Sequence, residues 1–124
     1  PGASKVFLGG ITAYTNTAKM ALARVPKDIL DAFGAVSSEA AEALAKGVRE
    51  ALDADIAVGI TGVAGPGPDD KGNPEGRVFI ALWAPDRVSV RSHDFFYNRE
   101  RIRLAAASSA LDLIRRYLTG LPLK

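Results

Sequence analysis

Between Ser37 and Asp53 the chain places Ala40, Ala41, Leu44, Ala45, Val48, Ala51 and Leu52 at helical spacing, with Glu39, Glu42, Lys46, Arg49 and Glu50 opposite them. That pattern predicts an amphipathic helix. Ser37 is placed to cap it, and Glu39 stands where a negative charge suits the helix dipole. The many alanines on its apolar side predict close approach to a sheet or another helix. A second stripe, Ile102, Ala106, Ala110, Leu113, Ile114 and Tyr117, follows the capping residue Asn98 and stops at Gly120 and Pro122. Two shorter helices come earlier. One starts around Thr17, capped by Thr15 or Asn16, and ends before Pro26; the other covers 26–33, with Pro26 in its first position and Gly34 closing it.

Other runs have the character of strands. Lys5–Thr12 (KVFLGGIT) joins β-branched and aromatic residues around Gly9-Gly10, a pair that marks a bulge or a close backbone approach. Asp55–Thr61 and Arg77–Ala84 read as buried strands, and Arg87–Phe96 alternates apolar and polar residues. The last two predict a hairpin turning at Pro85-Asp86. Strands interleaved with amphipathic helices predict a layered α/β/α domain with a mixed central sheet, one domain over residues 1–124.

Composition narrows the chemistry. The chain has no cysteine, which excludes disulfides, thiolate nucleophiles and Cys-ligated metals. Its one histidine, His93, leaves little material for a His-based metal site or a Ser-His-Asp triad, and reads as a half-exposed strand residue. A formal net charge of +2 without a basic, aromatic-interleaved tract argues against nucleic-acid binding. No apolar run approaches the ~18 residues a membrane span needs, and no signal peptide is visible. A cytoplasmic location is the expectation.

The segment "GITGVAGPGPDDKGNPEGRVFIAL" (Gly59–Leu82) holds two strand-like runs separated by a stretch dense in Gly, Pro and Asp. Loops beyond about 12–15 residues are uncommon in compact domains unless functional or disordered. Thr61, Gly62, Ala64 and Gly65 stand at the carboxyl end of a central strand, where ligands of open α/β sheets bind. Glycines there let backbone N–H groups approach an anion. The segment has neither GxxxxGK[ST] nor a helix-opening GxGxxG, so it reads either as a ligand loop of another kind or as a surface connector. Other positions also carry two readings. Lys19, on the helix after Tyr14, is either a desolvated general base or a solvated helix residue. Ser4 reads as an ordinary turn hydroxyl. Arg99, Arg101 and Arg103 crowd a helix N-terminus, against the dipole, and read as an anion site or a solvated face.

Together these residues resemble the CinA C-terminal domain family, the competence/damage-inducible domain that acts as nicotinamide mononucleotide (NMN) deamidase. Four stretches carry the likeness: "FLGGITAYTNTAKMALARVP", "GAVSSEAAEALAKGVREALDADIAVGITGVAGPG", "NPEGRVFIAL" and "NRERIRLAAASSALDLIRR". Tyr-x-Asn-x-x-Lys with TGxAGP is a specific combination, and the likeness runs over nearly the whole chain. The resemblance implies hydrolysis of the NMN carboxamide to nicotinic acid mononucleotide and ammonia, with no metal or cofactor. It implies a serine–lysine mechanism in which Tyr14 and Lys19 support a serine nucleophile. Ser4 then matches a supporting serine in the substrate site. Thr61, Gly62, Ala64 and Gly65 match the substrate-binding segment, with Pro68–Pro74 as a flap over it. Arg99 and Arg103 match basic positions suited to a phosphate. The family's nucleophile lies in a Glu-Ser-Cys-Thr-Gly-Gly stretch upstream of the Pro-Gly turn, and these 124 residues contain none. The expectation is a fragment or natural truncation, inactive as it stands, that binds NMN, associates into a homo-oligomer, and engages neither nucleic acid nor membrane. The competing reading is a non-catalytic nucleotide-binding or assembly domain.

Overall fold

A computed structural model describes residues 1–123. A 3₁₀ turn at Ala3–Lys5 is followed by an irregular arm, then helices α1 (Asn16–Ala23), α2 (Lys27–Phe33) and α3 (Ser38–Leu52). Strands β1 (Ala57–Gly62), β2 (Arg77–Ala84) and β3 (Arg87–Asp94) come next, and helix α4 (Arg99–Leu118) closes the fold. The helices start where their caps predict. Thr15, Ser37 and Asn98 accept hydrogen bonds from the amides of Ala18, Ala40 and Arg101, satisfying N–H groups the helix itself leaves free. Pro26 caps α2 instead of occupying its first turn.

The sheet has the order β1-β2-β3, and both pairings are antiparallel. Ala84 pairs with Arg87 across the two-residue Pro85-Asp86 turn. Alternate residues of β2 serve different layers. Val78, Ile80, Leu82 and Ala84 face Ile102, Ala106, Ala110 and Leu113 of α4. Phe79, Ala81 and Trp83 face Ala41 and Ala45 of α3. The two sides therefore differ in packing. Large aliphatics fill the α4 side, whereas α3 lies close on the backbone of β1. A Cβ on Gly59 would overlap the Ala41 carbonyl oxygen and stand 2.7 Å from the Ala45 nitrogen. Helices α1 and α2 pack on α3, around Ala23, Val25 and Leu30.

The layered α/β/α architecture is the one the pattern predicts, with two corrections. The sheet is antiparallel, not mixed, and Lys5–Thr12 is not a strand. β-Branched and aromatic residues favour a pleated, half-buried surface only where a neighbour pairs with it. Here no strand pairs with the segment, and Val6, Phe7 and Leu8 are 84%, 68% and 57% exposed. Smaller differences lie at the ends: β1 starts at Ala57 rather than Asp55, and β3 stops at Asp94 before Phe95.

Candidate functional site

The Gly-rich loop leaves β1 through Thr61 and Gly62, and β1 is an edge strand of the sheet, not the central strand the sequence pattern predicts. The buried Thr61 hydroxyl donates to the Ala35 carbonyl at 2.5 Å, joining the strand to the turn before α3. Opposite Gly62 a Cβ would stand 2.8 Å from the Arg77 carbonyl oxygen, so the loop's two ends lie against each other. Two further bonds close this base: the Val63 amide donates to the Arg77 carbonyl at 2.9 Å, and Gly76 to the Val63 carbonyl at 2.7 Å.

Beyond the base, the Gly65–Pro66 peptide is cis, and Gly65 and Gly67 take left-handed φ values of 84° and 83°. Two charged side chains grip this turn. The Glu75 carboxylate accepts from the Gly67 amide at 2.9 Å, and Arg99 Nη1 donates to the Gly65 carbonyl at 2.9 Å. The tip is ordered too. Asp69 accepts from the Lys71 amide, the Asn73 amide and Asn73 Nδ2, at 3.0, 2.8 and 2.8 Å. Partial desolvation works to raise the Asp69 pKa, but these hydrogen bonds outweigh it and hold the carboxyl below its ordinary value. Pro68–Pro74, which the resemblance implies to be a flap, thus forms a compact turn built on one aspartate.

Lys19 is buried on α1, 9% exposed, and desolvation lowers the pKa of its amine. Among the described residues it forms no ion pair. Desolvation favours the neutral form that a general base needs, while the amine nitrogen is not among the fully buried polar atoms and still meets solvent. Tyr14 is 79% exposed. The arm and α1 dock towards the C-terminal half of α3: Gly9 lies against Leu52 (3.5 Å for a Cβ), and Gly47 passes under the Ala23 carbonyl. Thr61 bonds at the other end of that helix. No hydrogen bond joins Tyr14 or Lys19 to residues 61–67 among the described residues. Ser4 is exposed in the 3₁₀ turn.

The three arginines of α4 part company. Arg99 holds the loop, Arg101 lies over the Tyr97 ring at 5.1 Å, and Arg103 is exposed. His93 stacks on Phe95 at 5.0 Å, and burial followed by the nearby Arg91 charge lowers its pKa. Among the described residues no group of His, Asp and Glu is arranged to hold a metal ion, and no helix is long and apolar enough to cross a membrane. A cavity of about 330 Å³ opens elsewhere, beside α3, where Lys46 lies over Trp83 and Glu39, Glu42, Glu50 and Arg24 form the rim. It contains none of the residues read from the sequence as a site. Glu75 was not among those residues either. A carboxylate next to a glycine at the loop's return is a weak signal, and only the fold shows which amide it meets.

Comparison with known proteins gives a consistent result. The family model described as the CinA C-terminal domain matches residues 1–118. A CinA-like protein of Picosynechococcus sp. is 48% identical over 94% of this chain, and one of Acidobacterium capsulatum is 43% identical over 95%. The chain spans less than a third of those relatives, 29% and 28% of their lengths. Among solved structures, the competence/damage inducible protein CihA of Agrobacterium tumefaciens superposes with a TM-score of 0.79 at 36% identity, over 85% of this chain and 65% of that one. A CinA superfamily protein of Klebsiella pneumoniae gives a TM-score of 0.82 at 25% identity, over 86% and 67%.

Proposed function

The chain belongs to the CinA C-terminal domain family, and from that premise we propose that it carries the lysine and the binding loop of an NMN deamidase. The largely buried Lys19 side chain, unpaired among the described residues and with its amine pKa lowered by desolvation, is the observation that supports this reading most. A neutral lysine can take the proton of a serine hydroxyl, the work a histidine does in a triad. The serine oxygen then attacks the carboxamide carbon, and loop N–H groups stabilise the oxyanion that forms. As the intermediate collapses and the C–N bond breaks, the lysine gives the proton it took to the departing –NH2 nitrogen, which leaves as ammonia. Water then hydrolyses the acyl-serine to nicotinic acid mononucleotide and free serine. Tyr14 supports the serine in this scheme, Ser4 contributes to the substrate site, and the exposed Arg103 is a candidate for the phosphate. The reaction calls for no metal or cofactor.

These 124 residues contain no Glu-Ser-Cys-Thr-Gly-Gly stretch, so the chain supplies the base and donors without the nucleophile. Incubated alone with NMN it is expected to release no ammonia above background. Loss of a nucleophile from such a constellation costs about a millionfold in turnover in a serine protease. A longer protein that includes the serine-bearing segment is expected to be active, and Lys19→Ala within it to abolish most activity at an unchanged melting temperature. Ammonia release by the 124-residue chain at the rate of the longer protein would overturn the assignment.

The exposure of Tyr14, which shares no hydrogen bond with the loop among the described residues, favours a second reading, a nucleotide-binding or assembly domain without catalysis. NMN at millimolar concentration is expected to raise the melting temperature by mass action if the pocket binds the mononucleotide, with or without catalysis, and Arg103→Ala to reduce the rise. Activity of the longer protein separates the two. We also propose self-association. Leu104, Leu111 and Leu118, spaced by seven on α4, are 68%, 68% and 66% exposed. Antiparallel pairing with a second copy sets Leu111 on the two-fold axis and Leu104 against Leu118, a self-complementary contact. Sedimentation that finds only monomer at micromolar concentration counts against it.

A further inference from the structure

The backbone N–H groups of residues 63–67 can be accounted for one by one, since a buried N–H needs a partner; the Ala64, Pro66 and Gly67 carbonyls have none among the described residues. The Val63 amide is spent on Arg77, and the Val63 carbonyl on Gly76. The Gly65 carbonyl is spent on Arg99 and the Gly67 amide on Glu75. Pro66 has no N–H. Two consecutive donors are left, the Ala64 and Gly65 amides, which have no acceptor among the described residues. Both residues are only half-buried, so a ligand oxygen can reach them.

Building on the mononucleotide reading above, we propose that Glu75 and Arg99 are positioning residues that hold Gly65–Gly67 from opposite sides and so present the Ala64 and Gly65 amides together to a ligand oxygen. The division of labour follows from charge. A carboxylate can grip only the N–H side of the turn and a guanidinium only its C=O side. Each bond is charge-assisted, and each holds a glycine in a conformation that other residues resist. The fit at Gly65 is close, since a Cβ there would stand 2.6 Å from Glu75 Cγ. Preorganised amides of this kind stabilise a developing oxyanion without having to reorient during the reaction. Arg99, a phosphate candidate by sequence, spends one of its guanidinium donors on the loop, so it and Arg103 both keep donors for a phosphate.

The test uses the ¹⁵N-labelled chain, its Glu75→Gln, Glu75→Ala and Arg99→Met variants, and NMN as the probe. Glu75→Ala is expected to speed hydrogen exchange of the Gly67 amide about tenfold or more, the effect of losing one charge-assisted bond. Glu75→Gln keeps an acceptor oxygen and is expected to restore most of the protection. NMN affinity is expected to follow the same order, falling about tenfold in Glu75→Ala and Arg99→Met and recovering in Glu75→Gln, at unchanged melting temperature. Unaltered Gly67 exchange in Glu75→Ala overturns the inference whether or not NMN binds. Faster exchange with undiminished NMN affinity overturns it as well, because the grip would then serve no ligand. If NMN shifts no amide of the wild-type chain, the mononucleotide reading fails, and faster Gly67 exchange reversed by glutamine still supports the grip.

Discussion

The arm at Val6–Tyr14 and the loop at Gly62–Gly67 both carry paired or clustered glycines, yet they are ordered by different means. The loop is closed by backbone bonds at its base, by Glu75 and Arg99 at its turn and by Asp69 at its tip. The arm has few such anchors. Gly9 rests on Leu52 and Ile11 packs on the Ala23, Val25 and Leu30 cluster, while Phe7, Leu8 and Tyr14 face solvent. Glycine makes an unusual backbone path possible, but charged side chains from distant elements select one path. A loop held in this way can present amides to a ligand. An arm without such partners presents mainly side chains.

The contrast breaks most severely at the base of the loop. Gly76 has φ 88°, and a Cβ there would overlap the Phe95 carbonyl oxygen and stand 3.2 Å from the Phe95 nitrogen. Because the obstacle is backbone, it cannot swing aside. Gly76→Ala is expected to cost roughly 3 kcal/mol, read as a lower denaturation midpoint with little change in slope. A loss below about 1 kcal/mol would mean that the backbone at Phe95, just past β3, yields and that the base does not fix the loop.

Helices, caps and hairpin could be read in advance because each depends on residues close together in sequence. The Ser37 cap and the alternation of β2 are local facts. The grip on the loop is not, since Arg99 lies 34 positions from the carbonyl it holds. Gly47 was missed on the predicted apolar face for a related reason. A glycine in an Ala-rich helix signals only that something comes close, and the fold shows that this is the Ala23 carbonyl of α1. The arm failed in the opposite direction. Its strand-like composition is a preference for a neighbour, and pattern alone does not say whether one is beside it.

Lys19 lies just past the arm and sharpens the contrast by making stability and function pull apart. Its folded pKa is lowered by desolvation, so the native state holds its proton less tightly than the unfolded chain does. Stability is therefore expected to rise with pH between that lowered value and the unfolded value near 10.4. Lys19→Met removes the partly desolvated ammonium. It is expected to raise stability at neutral pH by roughly 0.5–1 kcal/mol and to flatten the alkaline rise. A destabilised Lys19→Met with the rise intact would show that the amine is not desolvated.

The tip of the loop responds at the acid end. Asp69 has a folded pKa held down by its bonds to Asn73 and Lys71 against an opposing desolvation. Its contribution is present above the unfolded value near 3.9 and is lost as pH falls through the folded one. The Lys71 and Asn73 amide resonances are expected to move together over that interval, with their titration absent in Asp69→Asn. Amides that titrate around the ordinary aspartate value in the wild type would mean the tip is open in solution.

The smallest effect is expected in the arm. Phe7 is 68% exposed, so Phe7→Ser removes little buried apolar surface and should change stability by no more than about 0.5 kcal/mol. Gly10→Ala is a companion test, since a Cβ there meets nothing within 4 Å and its φ lies outside the left-handed region. The methyl group costs nothing by contact and narrows the unfolded ensemble, so a gain of at most about 0.4–1 kcal/mol follows. Fast hydrogen exchange across Val6–Ile11, beside protected Val63 and Gly76 amides, would complete the picture. A loss of more than about 1 kcal/mol in Phe7→Ser, with Gly10 and Val63 equally protected, would instead mean that the arm is packed in solution. The loop's side-chain grip would then no longer distinguish the two segments.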